Sequence, residues 1–500
     1  MMDFLDFLIL YPPINRFVGL RCVEISGCAK LKGYQPGQYI TLDEESYAHT
    51  WNAVQINGYW HFADCNWGVS YIPGSRASDP FKFEYDEHYF LADPNTMIKT
   101  HFPRIPSWQL LIQPITLKQF NEAVPIKPDF FKFGFELLSH HAALVDTVQG
   151  NLDIHIGCPP GFLLSSQVSL VVGGSSMTPS GTDLCRYVFI RQIADGIMGC
   201  HLRIPEPGHY YVTFYAKKQF DDDAGLNMET PTEICKYYMR NYVPCDDLKP
   251  LPPSPSTHWG PIGIEATGLI PITHPDAIIN CHIGDDVDIR FKKLQNIQIC
   301  HEITEDEHTG HQQKAPSSSI QRRIDDDIIF TLCLHRIGRY GFHVYSVQDV
   351  TIHLCSYLIV LSHDPNGPIA TPISQPIPTP PSGEDYGPSA AFHNLGLTSF
   401  THPDPFIRTD NSDLQIVFSL PVNHMEFKQS FTHHRSDGRC QDLSGKVNRQ
   451  FESLEGVASL TYFLYLKKPG YYNFRMEGKE ESDHASRCTW LFNFVIRRNQ

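Results

Sequence analysis

The run HTWNAVQINGYWHFADCNWG, from His49 to Gly68, decides the fold of the first part of the chain. Asn57-Gly58 sits between two alternating apolar and polar runs, and a type I′ turn needs positive φ at both central residues, which Asn-Gly tolerates. The register follows. With Ile56 opposite Tyr59, opposed residue numbers sum to 115, so Trp51 faces Asp64, His49 faces Asn66, and Cys65 faces Thr50 on the other side of the sheet. His49 and Asp64 become diagonal neighbours on one face, about 7–8 Å apart at the backbone and closer at the tips.

A carboxylate that reaches an imidazole N–H fixes its tautomer and stabilises the imidazolium formed when the ring takes a proton from a nucleophile. Taken alone, His49 and Asp64 read as an ordinary cross-strand polar pair on a half-exposed sheet. The surrounding words favour the chemical reading.

RCVEISGCAKLKGYQPGQ (Arg21 to Gln38), the hairpin, and DEHYFLADPNTMIKTHFPRIPSWQLL (Asp86 to Leu111) follow one another in order. This tripartite wording, across roughly residues 20 to 120, closely resembles the transglutaminase-like domain of the kyphoscoliosis peptidase and hillarin family. The resemblance implies an α+β papain-like domain with a Cys-His-Asp site, in which His49 and Asp64 fall on the family's histidine and aspartate. The family's cysteine lies at the start of a helix just upstream of the strand matched by Arg21 to Gly27, where the helix dipole and a nearby imidazolium lower a thiol's pKa. That cysteine has no counterpart here, since the first cysteine is Cys22.

The chain is then an incomplete product, a natural short form, or a relative that has lost the nucleophile. Incompleteness is the expected case, because a sheet deprived of its helical half exposes a large apolar face. A fourth route, takeover by Cys22 or Cys28, runs against their place in an alternating strand that buries its cysteines. Cys65 points away from His49 in the expected register.

Five hundred residues predict three or four domains. Composition is that of a globular chain, 41% hydrophobic and 12% aromatic, enough for several cores, and no apolar run approaches the ~18 residues of a membrane span. Met1 to Leu10 carries two aspartates and no basic residue, so it lacks the basic start of a signal peptide, and a cytoplasmic, cytoskeleton-associated location is expected. The 14 cysteines are scattered without a CxxC pair and read as reduced. A net charge of −15 argues against nucleic acid as a partner. No cofactor and no metal are called for.

Beyond residue 120 the chain repeats itself. Thr273-His274-Pro275-Asp276 recurs as Thr401-His402-Pro403-Asp404, followed in each case by an alternating strand, DDVDIRF from Asp285 to Phe291 and SDLQIVF from Ser412 to Phe418. Trp259-Gly260-Pro261 recurs as Tyr386-Gly387-Pro388. A weaker copy starts at Leu137, and all three close alike, at Pro207 to Ala216, Ile337 to Ser346 and Lys468 to Glu477. Short alternating strands between turns predict an antiparallel β-sandwich for each copy. The family resemblance extends here, because its members carry immunoglobulin-like modules after the transglutaminase-like domain.

The expected order is a partial transglutaminase-like domain over 1–120, sandwiches over 125–245, 262–362 and 389–500, and proline-rich spacers over 246–261 and 363–388. The whole is mostly β. His301, Glu302, Glu305, Asp306, Glu307, His308 and His311 carry metal-ligand chemistry but read as a solvated loop, and the His140-His141 and His433-His434 pairs rate no higher.

Two functions fit. In one, a thiolate attacks a peptide carbonyl or a glutamine side chain while His49 acts as base and then acid and Asp64 orients it. The resemblance implies cytoskeletal protein substrates such as filamin-type crosslinkers. In the other, the same domains are a non-catalytic scaffold for cytoskeletal partners.

Overall fold

The computed structural model describes residues 19–499 apart from 32, 73–81, 222–224, 227–229, 246–247, 296, 307–318, 348–350, 364–376, 379–384, 400, 421–424, 436–438, 455–456 and 481–487. Two compact units are resolved, residues 1–250 with 256–258, and residues 251–255 with 259–500.

The first unit opens with Arg21–Ala29 (β1), Ala48–Ile56 (β2), Tyr59–Ala63 (β3), Val69–Ile72 (β4), Lys82–Tyr85 (β5), Phe90–Ala92 (β6) and His101–Pro103 (β7). Five of these form a sheet in the order β6-β3-β2-β1-β7, and β4 pairs with β5 as a separate hairpin. The β2–β3 turn is at Asn57-Gly58, with φ of 53° and 88°, as its left-handed requirement demands. One apolar cluster gathers Ile25, Trp51, Ala53, Phe62, Tyr89, Ala92 and Met97, and another gathers Cys28, Ile40, Ile98, Phe102 and Phe120. Phe120 comes from a short helix, Leu117–Glu122, started by a capping box in which Thr116 and Gln119 satisfy each other's backbone N–H groups.

A sandwich completes this unit: Glu136–Leu137 (β8), Leu144–Asp146 (β9), Asn151–Gly157 (β10), Phe162–Leu170 (β11), Val188–Ala194 (β12), Ile197–Arg203 (β13), Gly208–Lys218 (β14), a small hairpin of Phe220–Asp221 (β15) and Gly225–Leu226 (β16), and Thr232–Asn241 (β17). Its sheets are β12-β13-β10-β8 and β11-β14-β17-β9. Alternation does the packing, since Leu152, Ile154 and Ile156 on β10 and Tyr210, Val212, Phe214 and Ala216 on β14 are the buried positions of strands in the two sheets.

The second unit holds two more sandwiches. The first comprises Leu269–Pro271 (β18), Ile278–His282 (β19), Asp286–Lys293 (β20), Gln298–Glu305 (β21), Ser319–Ile324 (β22), Asp327–Cys333 (β23), Gly338–Val347 (β24) and Thr351–Ser362 (β25). The second comprises Gly387–Pro388 (β26), Thr398–Ser399 (β27), Phe406–Thr409 (β28), Asp413–Leu420 (β29), Met425–His434 (β30), Cys440–Asp442 (β31), Asn448–Leu454 (β32), Val457–Tyr465 (β33), Gly470–Glu480 (β34) and Thr489–Arg498 (β35). Sheet orders are β18-β20-β23-β22 and β19-β25-β24-β21, then β27-β29-β33-β32 and β26-β35-β34-β30-β31 with β28 also on β35.

Three corrections to the sequence reading follow. The sandwiches are not purely antiparallel, because β9, β19 and β28 each pair in parallel with the last strand of their copy. His301, Glu302 and Glu305 lie on β21 rather than in a loop: His301 bonds Gln321 and Ser319 and meets the Phe330 ring edge-on, so its side of the strand faces inward despite the charge around it. Glu307, His308 and His311 fall outside the described residues. The proline-rich stretches are not free spacers where they are described, since Trp259, Ile377 and Tyr386 are buried.

The two sandwiches of the second unit share a small core of Ile320, Cys333, Ile377, Tyr386, Phe406, Tyr471 and Val495. Charged groups surround it. Asp286 accepts from Arg408 and Arg497, while Arg322, only 2% exposed, reaches Asp288, Thr331 and Asp404. An arginine buried this deeply persists only because acceptors satisfy its fork.

Candidate functional site

His49 sits on β2, Asp64 just past the end of β3, and His101 on β7. The strand between β2 and β7 is β1, where Gly27 lies opposite both His49 and Pro103. A Cβ on Gly27 would run into the Phe102 carbonyl oxygen and fall 2.8 Å from the Trp51 ring, so the close approach of these strands requires glycine.

The expected ladder runs from Ile56–Tyr59 to Asn52–Ala63 and stops there. The pairs Trp51–Asp64, Thr50–Cys65 and His49–Asn66 do not form. Asp64 instead opens a turn, its Oδ1 accepting from the backbone N–H of Asn66 (2.8 Å) and Trp67 (3.0 Å), the local bonding by which aspartate competes with a ladder. Its own N–H donates to the Tyr89 carbonyl.

His49 and Asp64 nevertheless meet, with Nε2 2.6 Å from Oδ2. The third participant, not identified from the sequence, is His101, whose Nε2 lies 3.0 Å from the same oxygen. Thr100 Oγ1 lies 2.8 Å from His101 Nδ1. With Nε2–H directed at the carboxylate, Nδ1 is the acceptor, and the threonine hydroxyl holds this tautomer.

Asp64 thus accepts four hydrogen bonds. Burial alone would raise its pKa, but bonds from His101 and His49 outweigh this and hold the carboxyl well below the usual range. His101 is fully buried, which pushes its pKa down to about 4 against the pull of Asp64, so the ring is neutral at physiological pH. Trp67 lies 4.5 Å and Trp51 5.1 Å from the His101 ring, and Trp67 lies 5.5 Å from His49. These rings exclude water from the carboxylate, which strengthens its interactions.

Cys22 and Cys28 are buried on β1, and burial pushes the Cys28 thiol up to about 11. Cys65 lies in the turn, its thiol raised to about 11 by burial and by the Asp64 charge. Among the described residues no cysteine sulfur hydrogen-bonds to His49. The arrangement is an imidazole with Nε2 held by a carboxylate, a general base without an attached nucleophile among the described residues. His49 Nε2, Asp64 Oδ2 and His101 Nε2 lie within 4.8 Å of one another and could together ligate a divalent ion, although hydrogen bonding accounts for the contacts without one.

Among the described residues no helix is long and apolar enough to cross a membrane. The KY-like, immunoglobulin-like domain model matches residues 117–252 and 388–500. The chain is 29% identical over 379 residues to the Lim and transglutaminase domain protein ltd-1 of Caenorhabditis elegans, covering 70% of this chain and 51% of that protein. It is 27% identical over 364 residues to Hillarin of Drosophila melanogaster, covering 68% and 42%. It is 28% identical over 278 residues to Kyphoscoliosis peptidase of Homo sapiens, covering 55% and 38%. The chain therefore spans about half, or less, of the length of these relatives. By these matches, by its KY-like, immunoglobulin-like sandwiches and by the sequence around its paired histidine and aspartate, the chain belongs to the family of hillarin and kyphoscoliosis peptidase.

Proposed function

We propose that residues 21–112 are the histidine and acid half of a transglutaminase-like thiol acyl-transfer site. The observation that carries this reading is the 2.6 Å contact between His49 Nε2 and a buried, ionised Asp64. A cysteine thiol placed beside His49 Nδ1 gives its proton to that nitrogen, and the thiolate adds to a peptide or glutamine carbonyl. The imidazolium, held by Asp64, returns the proton to the departing amine, leaving a thioester. Water or an amine then attacks that thioester, with His49 again as base. The nucleophile belongs to a segment upstream of Arg21, and the substrates expected from the family are cytoskeletal proteins.

An electrophilic thiol probe applied to the endogenous protein, with N-terminal peptides mapped by mass spectrometry, tests this. Labelling of a cysteine upstream of Arg21 that His49→Ala abolishes, with the melting temperature unchanged, supports it. Labelling indifferent to His49→Ala removes His49 from the mechanism. A second reading, a non-catalytic cytoskeletal scaffold, draws on the absence of a sulfur bonded to His49 among the described residues. It expects no labelling and partner capture that His49→Ala does not alter.

A further inference from the structure

The three sandwiches share one topology, and this makes one strand comparable in all of them. In each copy a central pair joins equivalent isoleucines: Ile154 opposite Cys200, Ile289 opposite Phe330, and Ile416 opposite Tyr462. On the far side of that second strand stands an edge strand, where Ile190 faces Cys200, Gln321 faces Phe330, and Arg449 faces Tyr462. Strands β12, β22 and β32 are therefore the same edge, and Ile190, Gln321 and Arg449 the same place on it.

Two of the three edges are covered. At β12, the Ile190 N–H donates to the Thr257 carbonyl, His258 bridges Ile190 in parallel, and the Thr257 hydroxyl accepts from Ser166 N–H on β11. At β22, Tyr386 bridges Arg322 in parallel, its N–H donating to the Gln321 carbonyl and its carbonyl accepting from Arg323 N–H at 2.8 Å. Asp385, beside it, accepts from the Gln321 amide at 2.8 Å and from the Arg323 guanidinium at 2.7 Å. The next residue must be glycine, because a Cβ on Gly387 would lie 2.6 Å from the Arg323 carbonyl oxygen. Each cover is a strap of this chain, laid parallel to the edge just after a proline-rich stretch.

Among the described residues no segment pairs with the outer edge of β32. Beside that edge runs a groove of about 490 Å³, lined by Met425, Glu426, Phe427 and Lys428 of β30, Arg449 and Phe451 of β32, and Leu460. It lies between the edge strand and the counterpart of β11, where Thr257 sits in the first sandwich. Phe451 is 48% exposed. An edge with unpaired backbone groups is a template for an added strand.

We propose that the outer edge of β32 binds an extended segment of a partner protein, acidic and then aromatic-glycine-proline in sequence, in the parallel orientation of the internal straps. Arg449, whose Nη1 donates to the Phe427 carbonyl of β30 at 2.8 Å, stands where Gln321 receives Asp385, and Lys428 flanks the groove, so an Asp or Glu before the aromatic residue meets the remaining Arg449 N–H groups and the Lys428 ammonium. The segment's backbone bonds the outward Phe451 N–H and Arg449 carbonyl, the counterparts of Arg323 and Gln321. Its glycine allows the close approach that Gly387 makes on β22. This inference does not depend on the acyl-transfer reading.

The experiment titrates the full chain into a fluorescein-labelled peptide of residues 382–390, SGEDYGPSA, followed by anisotropy. The expected result is saturable one-site binding with Kd on the order of 100 µM. Arg449→Glu, a change at an exposed position, weakens it at least tenfold, as does alanine in the peptide at the place of Gly387. Phe451→Pro, which removes the outward N–H at an edge that tolerates proline, does the same. No saturable binding up to millimolar chain, or binding unchanged by Arg449→Glu, overturns the proposal. Self-association of the chain through this edge, seen by sedimentation and abolished by Arg449→Glu, overturns it in favour of a second copy as occupant.

Discussion

His101 donates to the same carboxylate oxygen of Asp64 that holds His49, so the two rings compete for one acceptor. The buried ring, neutral above about pH 4, draws electron density from that oxygen without carrying charge. Its removal leaves a more basic carboxylate and a stronger hydrogen bond between His49 and Asp64. His101→Phe is expected to strengthen the His49–Asp64 hydrogen bond and move its proton resonance downfield. The measurement is ¹H–¹⁵N NMR of the imidazoles in the full chain. A resonance that stays in place makes His101 a packing residue only.

Asp64 is satisfied by four donors, two from backbone and two from histidine. An asparagine in its place offers one oxygen and presents an NH₂ to donors that need an acceptor. Asp64→Asn should cost about 2–4 kcal/mol in urea unfolding. The native carboxyl, held below its ordinary range, contributes stability above the unfolded pKa of about 3.9 that is lost as pH falls through its depressed folded value. The loss caused by the variant should therefore be full at pH 7 and shrink below about pH 4. A cost independent of pH would show that charge on Asp64 is not what the site stabilises.

Gly27 controls whether β7 can lie where it brings His101 to Asp64. Gly27→Ala puts a methyl into the Phe102 carbonyl and the Trp51 ring, and backbone is the obstacle that cannot rotate away. The expected cost is about 2–4 kcal/mol, with β1 and β7 moving apart. Loss of the Gly27–Pro103 and Ala29–His101 pairing should appear as faster amide exchange in β7, while the β2–β3 hairpin stays protected. Equal β7 protection in Gly27→Ala and in the unchanged chain would refute the role given to the glycine.

The hairpin was legible because Asn57-Gly58 fixes a turn from two residues, and the alternation on either side fixes register. The site was legible only in part. Nothing in the local pattern announces that Asp64 leaves the ladder, since that depends on its carboxylate capturing the Asn66 and Trp67 N–H groups. His101 was hidden for a different reason: β7 has three residues, too few for a period, and pairs with a strand more than 70 positions earlier. The Thr-His-Phe-Pro word was in plain view without a means to place it. The sandwich copies were readable from their spacing, whereas the parallel strands β9, β19 and β28 were not, because parallel pairing leaves no turn signal. His301 misled through its acidic neighbours, although Ile299 and Ile303 on either side carry the alternation of a strand that packs against the core.

Lys30 supplies the last prediction. Its ammonium is buried with no carboxylate bonded to it among the described residues, donating to the Ala123 carbonyl at 3.0 Å and lying 4.7 Å from the Phe120 ring centre and 5.4 Å from that of Tyr34. Burial, and secondarily the Lys99 charge, push its pKa down to about 7. The unfolded chain keeps this proton to about pH 10.4, so between these values the unfolded state binds more protons and stability rises with pH. Below pH 7 both states are protonated and the folded one bears the full cost of a buried charge, a few kcal/mol by this linkage. A carbonyl and two ring faces offset only part of it. Lys30→Met keeps the length of the side chain and removes the charge, and should stabilise the chain by about 1–3 kcal/mol at about pH 6.5. Because the other titrating groups are common to both proteins, the difference between them should narrow steadily from about pH 6.5 to about 8.5 in parallel urea titrations. A difference constant over that range would mean that Lys30 keeps its proton in the fold, and a less stable variant at every pH would mean that the bond to Ala123 outweighs the burial.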